Sequence, residues 1–195
     1  MRRLVPILLV MFALLAYAPA AAGANASARA TPRESFESVG FDAWSSVCGA
    51  QTCTDTYIFA SYQSTSSGET FSYACADQFT YNIRTGRGSG SGGCAENVDL
   101  TVAGDLSSAS LAPTAIEVCG RRHCETIIVS AELEGTGDLT TFKSRYTEND
   151  GTCTYTYSDT GQRRFATGSI TFDGTTTDAE GWIYSAQTTF SSRCR

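Results

Sequence analysis

Two cysteines separated by four residues and flanked by strand-forming residues occur twice in this chain, and nothing else in it restricts the fold as strongly. Val47-Cys48-Gly49-Ala50-Gln51-Thr52-Cys53 returns as Val118-Cys119-Gly120-Arg121-Arg122-His123-Cys124, followed by Tyr57-Ile58-Phe59 in the first copy and Ile127-Ile128-Val129 in the second. Facing residues of an antiparallel pair bring their Cα atoms within disulfide range. Each copy therefore reads as a short hairpin loop closed by a disulfide.

The duplication extends beyond this hairpin. Thr70-Phe71 matches Thr141-Phe142 at the offset of 71 that relates Cys48 to Cys119, and Leu100-Thr101-Val102 matches Ile170-Thr171-Phe172 at an offset of 70. A repeat of about 70 residues is the expected period. Each copy holds four cysteines, and the expected bonds are Cys48 with Cys53, Cys75 with Cys94, Cys119 with Cys124 and Cys153 with Cys194. At the repeat offset Cys75 falls opposite Tyr146 rather than Cys153, so the two longer rings are not related by the period.

The N-terminus has the pattern of a secretory signal. Arg2 and Arg3 precede an apolar run from Leu4 to Tyr17, and small residues fill Ala20 to Ala30, with cleavage expected after Ala24 or Ala26. The run is short for a bilayer span, so no stable membrane insertion is expected once residues 1–26 are removed. Export favours disulfides over thiolate zinc sites, although the spacing alone is compatible with zinc. Losing Arg2 and Arg3 takes the formal charge from −6 to −8, a balance unsuited to phosphate backbones; no nucleic-acid partner is expected.

From Trp44 onward, strand-like runs alternate with turn residues, and no helical stripe appears. The expected fold is all-β and antiparallel, a disulfide-stapled sandwich or barrel of two related halves, 41–112 and 113–195, behind a flexible leader at 27–40. One pseudo-symmetric unit is favoured over two tandem ones. Gly86 to Gly93 reads as a flexible loop lacking the Gly-Lys-Ser/Thr of a phosphate cradle. Pro113 reads as a break, and Asn149-Asp150-Gly151 and Asp173-Gly174 as turns.

Catalytic chemistry is poorly supplied. His123 is the chain's one histidine, and no Gly-x-Ser-x-Gly elbow accompanies it. Glu132 with Glu134, and Asp178 with Glu180, are two apart and share strand faces, which keeps a carbohydrate-active enzyme as an alternative. No cofactor, metal site or calcium loop is expected. The disulfide-closed loop containing Arg121, Arg122 and His123 is a candidate recognition loop, as a proteinase inhibitor would present. Tyr155 and Tyr157 fall on one strand face and Thr154 and Thr156 on the other, a pattern suited to sugar- or protein-binding surfaces. Trp44 and Trp182 are expected in the core. The sequence thus points to an exported, non-catalytic binding module with a protein or glycan partner.

Overall fold

The computed structural model describes residues 34–121 and 123–194. The signal and most of the leader lie outside the described residues. Those described form nine strands and no helix: β1 (Glu34–Cys48), β2 (Thr52–Thr65), β3 (Thr70–Asn82), β4 (Gly88–Glu96), β5 (Leu100–Val102), β6 (Ser108–Cys119), β7 (Cys124–Asn149), β8 (Cys153–Phe172) and β9 (Thr175–Cys194). No helix among them is long and apolar enough to cross a membrane.

All the strands join one antiparallel sheet in the order β4-β3-β2-β1-β9-β8-β7-β6-β5. First and last strands pair along Glu34 to Trp44 against Phe190 to Glu180. A bridge between Gly92 and Cys119 joins β4 to β6. The result is an eight-stranded up-and-down barrel, with β5 added beside the first part of β6. Of the two architectures expected, the barrel is the one found.

Alternation assigns the two faces. In β7, Ile127, Val129, Ala131 and Leu133 are buried, while Ile128, Glu132 and Glu134 point outward and are exposed. The inward row continues around the wall through Ala43, Ile58, Ala60, Ala74, Ala76, Ala166, Ile170 and Ile183. An eight-stranded barrel has room for little more than its own side chains, which explains the many alanines. Leu106, at a φ of 58°, is 3 % exposed within this cluster and plugs one end.

The four disulfides are the pairs expected from the sequence. Each joins residues directly opposite one another on neighbouring strands, with Cα atoms 4.0 Å apart. They clasp β1 to β2, β3 to β4, β6 to β7 and β8 to β9. Counted by strand, both sets of four barrel strands are clasped first to second and third to fourth. The longer second strand of the later set, β7, displaces its third cysteine along the chain. By strand parity all four clasps are on the outward face, apart from the apolar interior.

Several boundaries differ from expectation. Strand β1 starts at Glu34, so 34–40 is strand rather than leader; pairing with both β2 and β9 holds it. The glycine-rich stretch expected to be a loop is β4. Gly88 and Gly90 are covered by the cross-strand Phe79 ring, which a Cβ on either would approach to 2.9 Å. Pro113 does not end a strand: β6 runs through it at a bulge between Leu111 and Thr114, a place where a missing N–H is tolerated. The boundary set at 112/113 therefore falls inside β6. Asp173 and Gly174, at φ of 48° and 75°, form the two-residue β8–β9 turn.

At the β4–β6 seam, a Cβ on Gly93 would collide with the Glu117 carbonyl and come within 2.9 Å of its carbon. Gly93→Val is expected to open the seam and lower stability by about 2–3 kcal/mol in urea unfolding. Replacing Cys153 and Cys194 together by serine removes a ring with a sequence separation of 41. The loop-entropy relation gives about 3–4 kcal/mol for it, measurable as a lowered urea midpoint.

Candidate functional site on the outward sheet face

Among the described residues, Phe41 is the one ring that is fully buried in the barrel interior. Most of the remaining rings of β1, β2, β3, β8 and β9 are turned outward, where register aligns them in rows; Phe172 packs against the core, and Tyr62 lies in the inward row near the mouth. Trp44 stands beside Tyr57, Asp42 lies between Phe59 and Trp182, and Tyr184 lies between Gly40 and Arg163. Trp44 and Trp182 are thus not core residues, contrary to the sequence expectation. Both are half-buried on the outer wall.

These rings support one another. Phe59 packs against Tyr73 at 5.6 Å and against Tyr184 at 6.2 Å between centroids. Phe165 meets Trp182 edge-on at 5.4 Å, and the Arg163 guanidinium sits 4.4 Å above the Trp182 ring. Such contacts add about 0.5–1.5 kcal/mol each and hold the rings in fixed orientations. Gly40 makes room for Tyr184, whose hydroxyl would be 2.9 Å from a Cβ at that position. The band continues along β7, β8 and β9, where Tyr146 stacks on Tyr157 at 4.6 Å and Tyr157 meets Phe190 at 5.0 Å. Tyr155 donates a hydrogen bond to Asp150 at 3.0 Å.

A carboxylate is embedded in this band. Burial pushes Asp42 up to about 6, against the opposing pull of backbone amides and of Arg163. Burial also raises the phenols of Tyr57 and Tyr184, and takes Tyr73 to about 12. The phenols therefore remain protonated hydrogen-bond donors over the ordinary pH range.

The recognition loop suggested by the sequence is a tight turn in which the Gly120 N–H donates to the His123 carbonyl at 2.9 Å, as Gly49 does to Thr52 at 2.8 Å. Arg121 and His123 are exposed, and Arg122 lies outside the described residues. By the up-and-down order, this loop shares one barrel end with Arg84 and Arg87.

The candidate carboxylates gather on the outer wall in two rows, Glu132-Ser169-Asp178 and Glu134-Thr167-Glu180, across β7, β8 and β9. Two strand spacings separate the acids of each row, about 10 Å. Glu132 and Asp99 line an open, mostly polar groove of about 400 Å³ beside the Pro113 bulge. Among the described residues, no group of three or more His, Cys, Asp or Glu side chains is placed to hold a metal ion.

The outward aromatic band was missed because β2 carries aromatic and aliphatic residues on opposite faces and the tryptophans were read as core by hydrophobicity, although in β1 Trp44 shares its face with Asp42. The usable signal was residue size: in β2 and β3, Ile58, Ala60, Ala74 and Ala76 point one way, and Tyr57, Phe59 and Tyr73 the other. No protein-family model matches the chain, and no curated protein or solved structure matches it either.

Asp42 supplies a pH test. Its folded value exceeds the unfolded one, so the native state holds the proton more tightly and loses stability as pH rises from about 4 through 6. Asp42→Asn is expected to be more stable than the parent by about 2 kcal/mol at pH 7.5, with the gap closing at pH 4, in paired urea titrations. An equal gap at both pH values would refute this assignment.

Proposed function

We propose that this protein is an exported, non-catalytic binding module that engages its partner, protein or glycan, through the outward band of Trp44, Tyr57, Tyr73, Trp182, Tyr184 and Arg163. The observation that carries this reading is the placement of two tryptophans, several tyrosines and an arginine on the outer wall of a rigid sheet. Those residue types dominate binding hot spots because they present large, stiff surfaces with a polar tip. Tyr73 and Tyr184 are braced by Phe59, and Trp182 by Phe165 and Arg163, so little freedom of these side chains is lost on binding.

Export is supported by the N-terminal pattern and by four disulfides, which persist in oxidising compartments. A non-catalytic role is favoured by the openness of the 400 Å³ groove, since small-molecule chemistry usually occupies enclosed, largely apolar pockets. The acidic rows face water and read as a solvated surface. The inhibitor alternative places recognition on the basic loop of Arg121 and Arg122 instead.

A glycan array and a protein capture from culture medium, run in parallel on three forms, distinguish these readings. Trp44→Ser combined with Trp182→Ser is expected to lower retention of the captured ligand at least tenfold. Arg121→Ala combined with Arg122→Ala is expected to leave it unchanged. The reverse pattern, together with inhibition of a trypsin-like protease by the parent, would replace this proposal with the inhibitor reading.

A further inference from the structure

Strands β7, β8 and β9 run past the barrel. Strand β6 pairs with β7 only as far as Ser108 opposite Glu134, and β1 pairs with β9 only as far as Glu34 opposite Phe190. Between Glu134 and the Asn149–Cys153 turn, the wall continues as β7, β8 and β9, flanked by β1 as far as Glu34 opposite Phe190 and three-stranded only from Ser191 onward. Its outward side bears the Tyr146, Tyr157 and Phe190 rings. Its other side continues the inward row of the wall, but the residue types change abruptly.

From Thr141 to Asn149 that side is polar and basic. Lys143, Arg145 and Arg193 are exposed on it, and hydroxyl and amide side chains fill the intervening positions, among them Thr147, Thr156, Thr160, Gln162, Gln187 and Ser191. Of the carboxylates on strands paired with it, Glu37, opposite Gln187, shares this side, whereas Glu148 and Asp159 point the other way. At the tip, Arg193 lines a pocket of about 370 Å³ with Asn149, Gly151, Thr152 and Thr154, all uncharged. A concentration of cations is conspicuous in a chain whose formal charge is −6. The strip is about 27 Å long and 10 Å wide, from strand rise and spacing.

We infer that this basic, hydroxyl-lined strip binds a linear anionic polysaccharide, one carrying sulfate or carboxylate groups along its chain. Charge complementarity selects a polyanion. The side chains between the cations both donate and accept, matching sugar hydroxyls spaced between the anionic groups. Single-stranded nucleic acid would call for successive stacking rings, and this side of the three strands has none. Tyr62, 41 % exposed on β2 in the row of Val39 and Ser185, offers a single ring at the strip's inner end for a sugar face. This surface is distinct from the outward band and does not depend on it.

The test uses the mature chain on immobilised dextran sulfate and polygalacturonate, with neutral dextran and oligo-dT in parallel. Retention on at least one of the two polyanionic sugars is expected, and none on dextran. Lys143→Ser, Arg145→Ser and Arg193→Ser combined should weaken binding at least tenfold and reduce the salt-dependence slope by about two to three. Arg84→Ser, Arg87→Ser and Arg121→Ser combined, at the opposite barrel end, should leave binding within twofold. The inference is overturned if the parent binds neither polysaccharide, if the strip variant binds like the parent, if the barrel-end variant loses as much, or if oligo-dT binds as tightly. Thermal melts that match the parent's confirm that each triple variant is folded.

Discussion

The bore of an eight-stranded barrel decides where everything else in this protein goes. Closing the sheet between β1 and β9 and at the Gly92–Cys119 bridge leaves an interior that alanine, isoleucine, valine and leucine fill, with Phe41 as the single fully buried ring. Most other rings supplied by the strands stand outside, Phe172 against the core and Tyr62 at the mouth being inward exceptions. Good strand-forming residues are thereby converted into an aromatic outer surface by a limit on volume, and Asp42 is buried among them although it is not in the core.

The same limit explains the position of the sulfur. A core built so largely of small side chains buries modest apolar area per residue, and the covalent clasps compensate from outside without occupying interior space. Each connects residues that the ladder already holds face to face, so the bond and the register reinforce one another. Clasping first to second and third to fourth strands in both sets ties the wall into four rigid pairs. The joints between pairs are held by hydrogen bonds and side-chain packing.

The cysteines made much of this legible in advance. A short ring between β-branched runs implies facing positions on a hairpin, and all four pairings followed from treating the remaining cysteines within each half. Asp173-Gly174 announced its turn because both positions need positive φ. Other features were hidden for physical reasons. Glycine gives no alternation, so β4 looked like a loop until Phe79 was seen to cover it. Pro113 looked like a break because a bulge inside a strand leaves no local signature. The outward tryptophans were assigned to the core by hydrophobicity, although period-two parity puts Trp44 on the face of Asp42 and Trp182 on the face of Asp178 and Glu180. The basic strip was dispersed over three strands and became visible only when register placed Arg193 beside Thr154 and Asn149.

The seam between the first and last strands also determines how the molecule would respond to mechanical load. Because Glu34 is opposite Phe190, tension applied through the two chain ends pulls the seam apart from one edge, breaking its hydrogen bonds in succession rather than all at once. Unzipping of this kind needs little force. The extension is bounded by the Cys153–Cys194 bond, which ties β9 to β8 at the pulled end, and by the Cys48–Cys53 bond, which ties β1 to β2 at the far end of β1. Stretched between two attachments, the barrel would unroll into an open sheet whose strands stay covalently joined in pairs, a compliant link of limited extension.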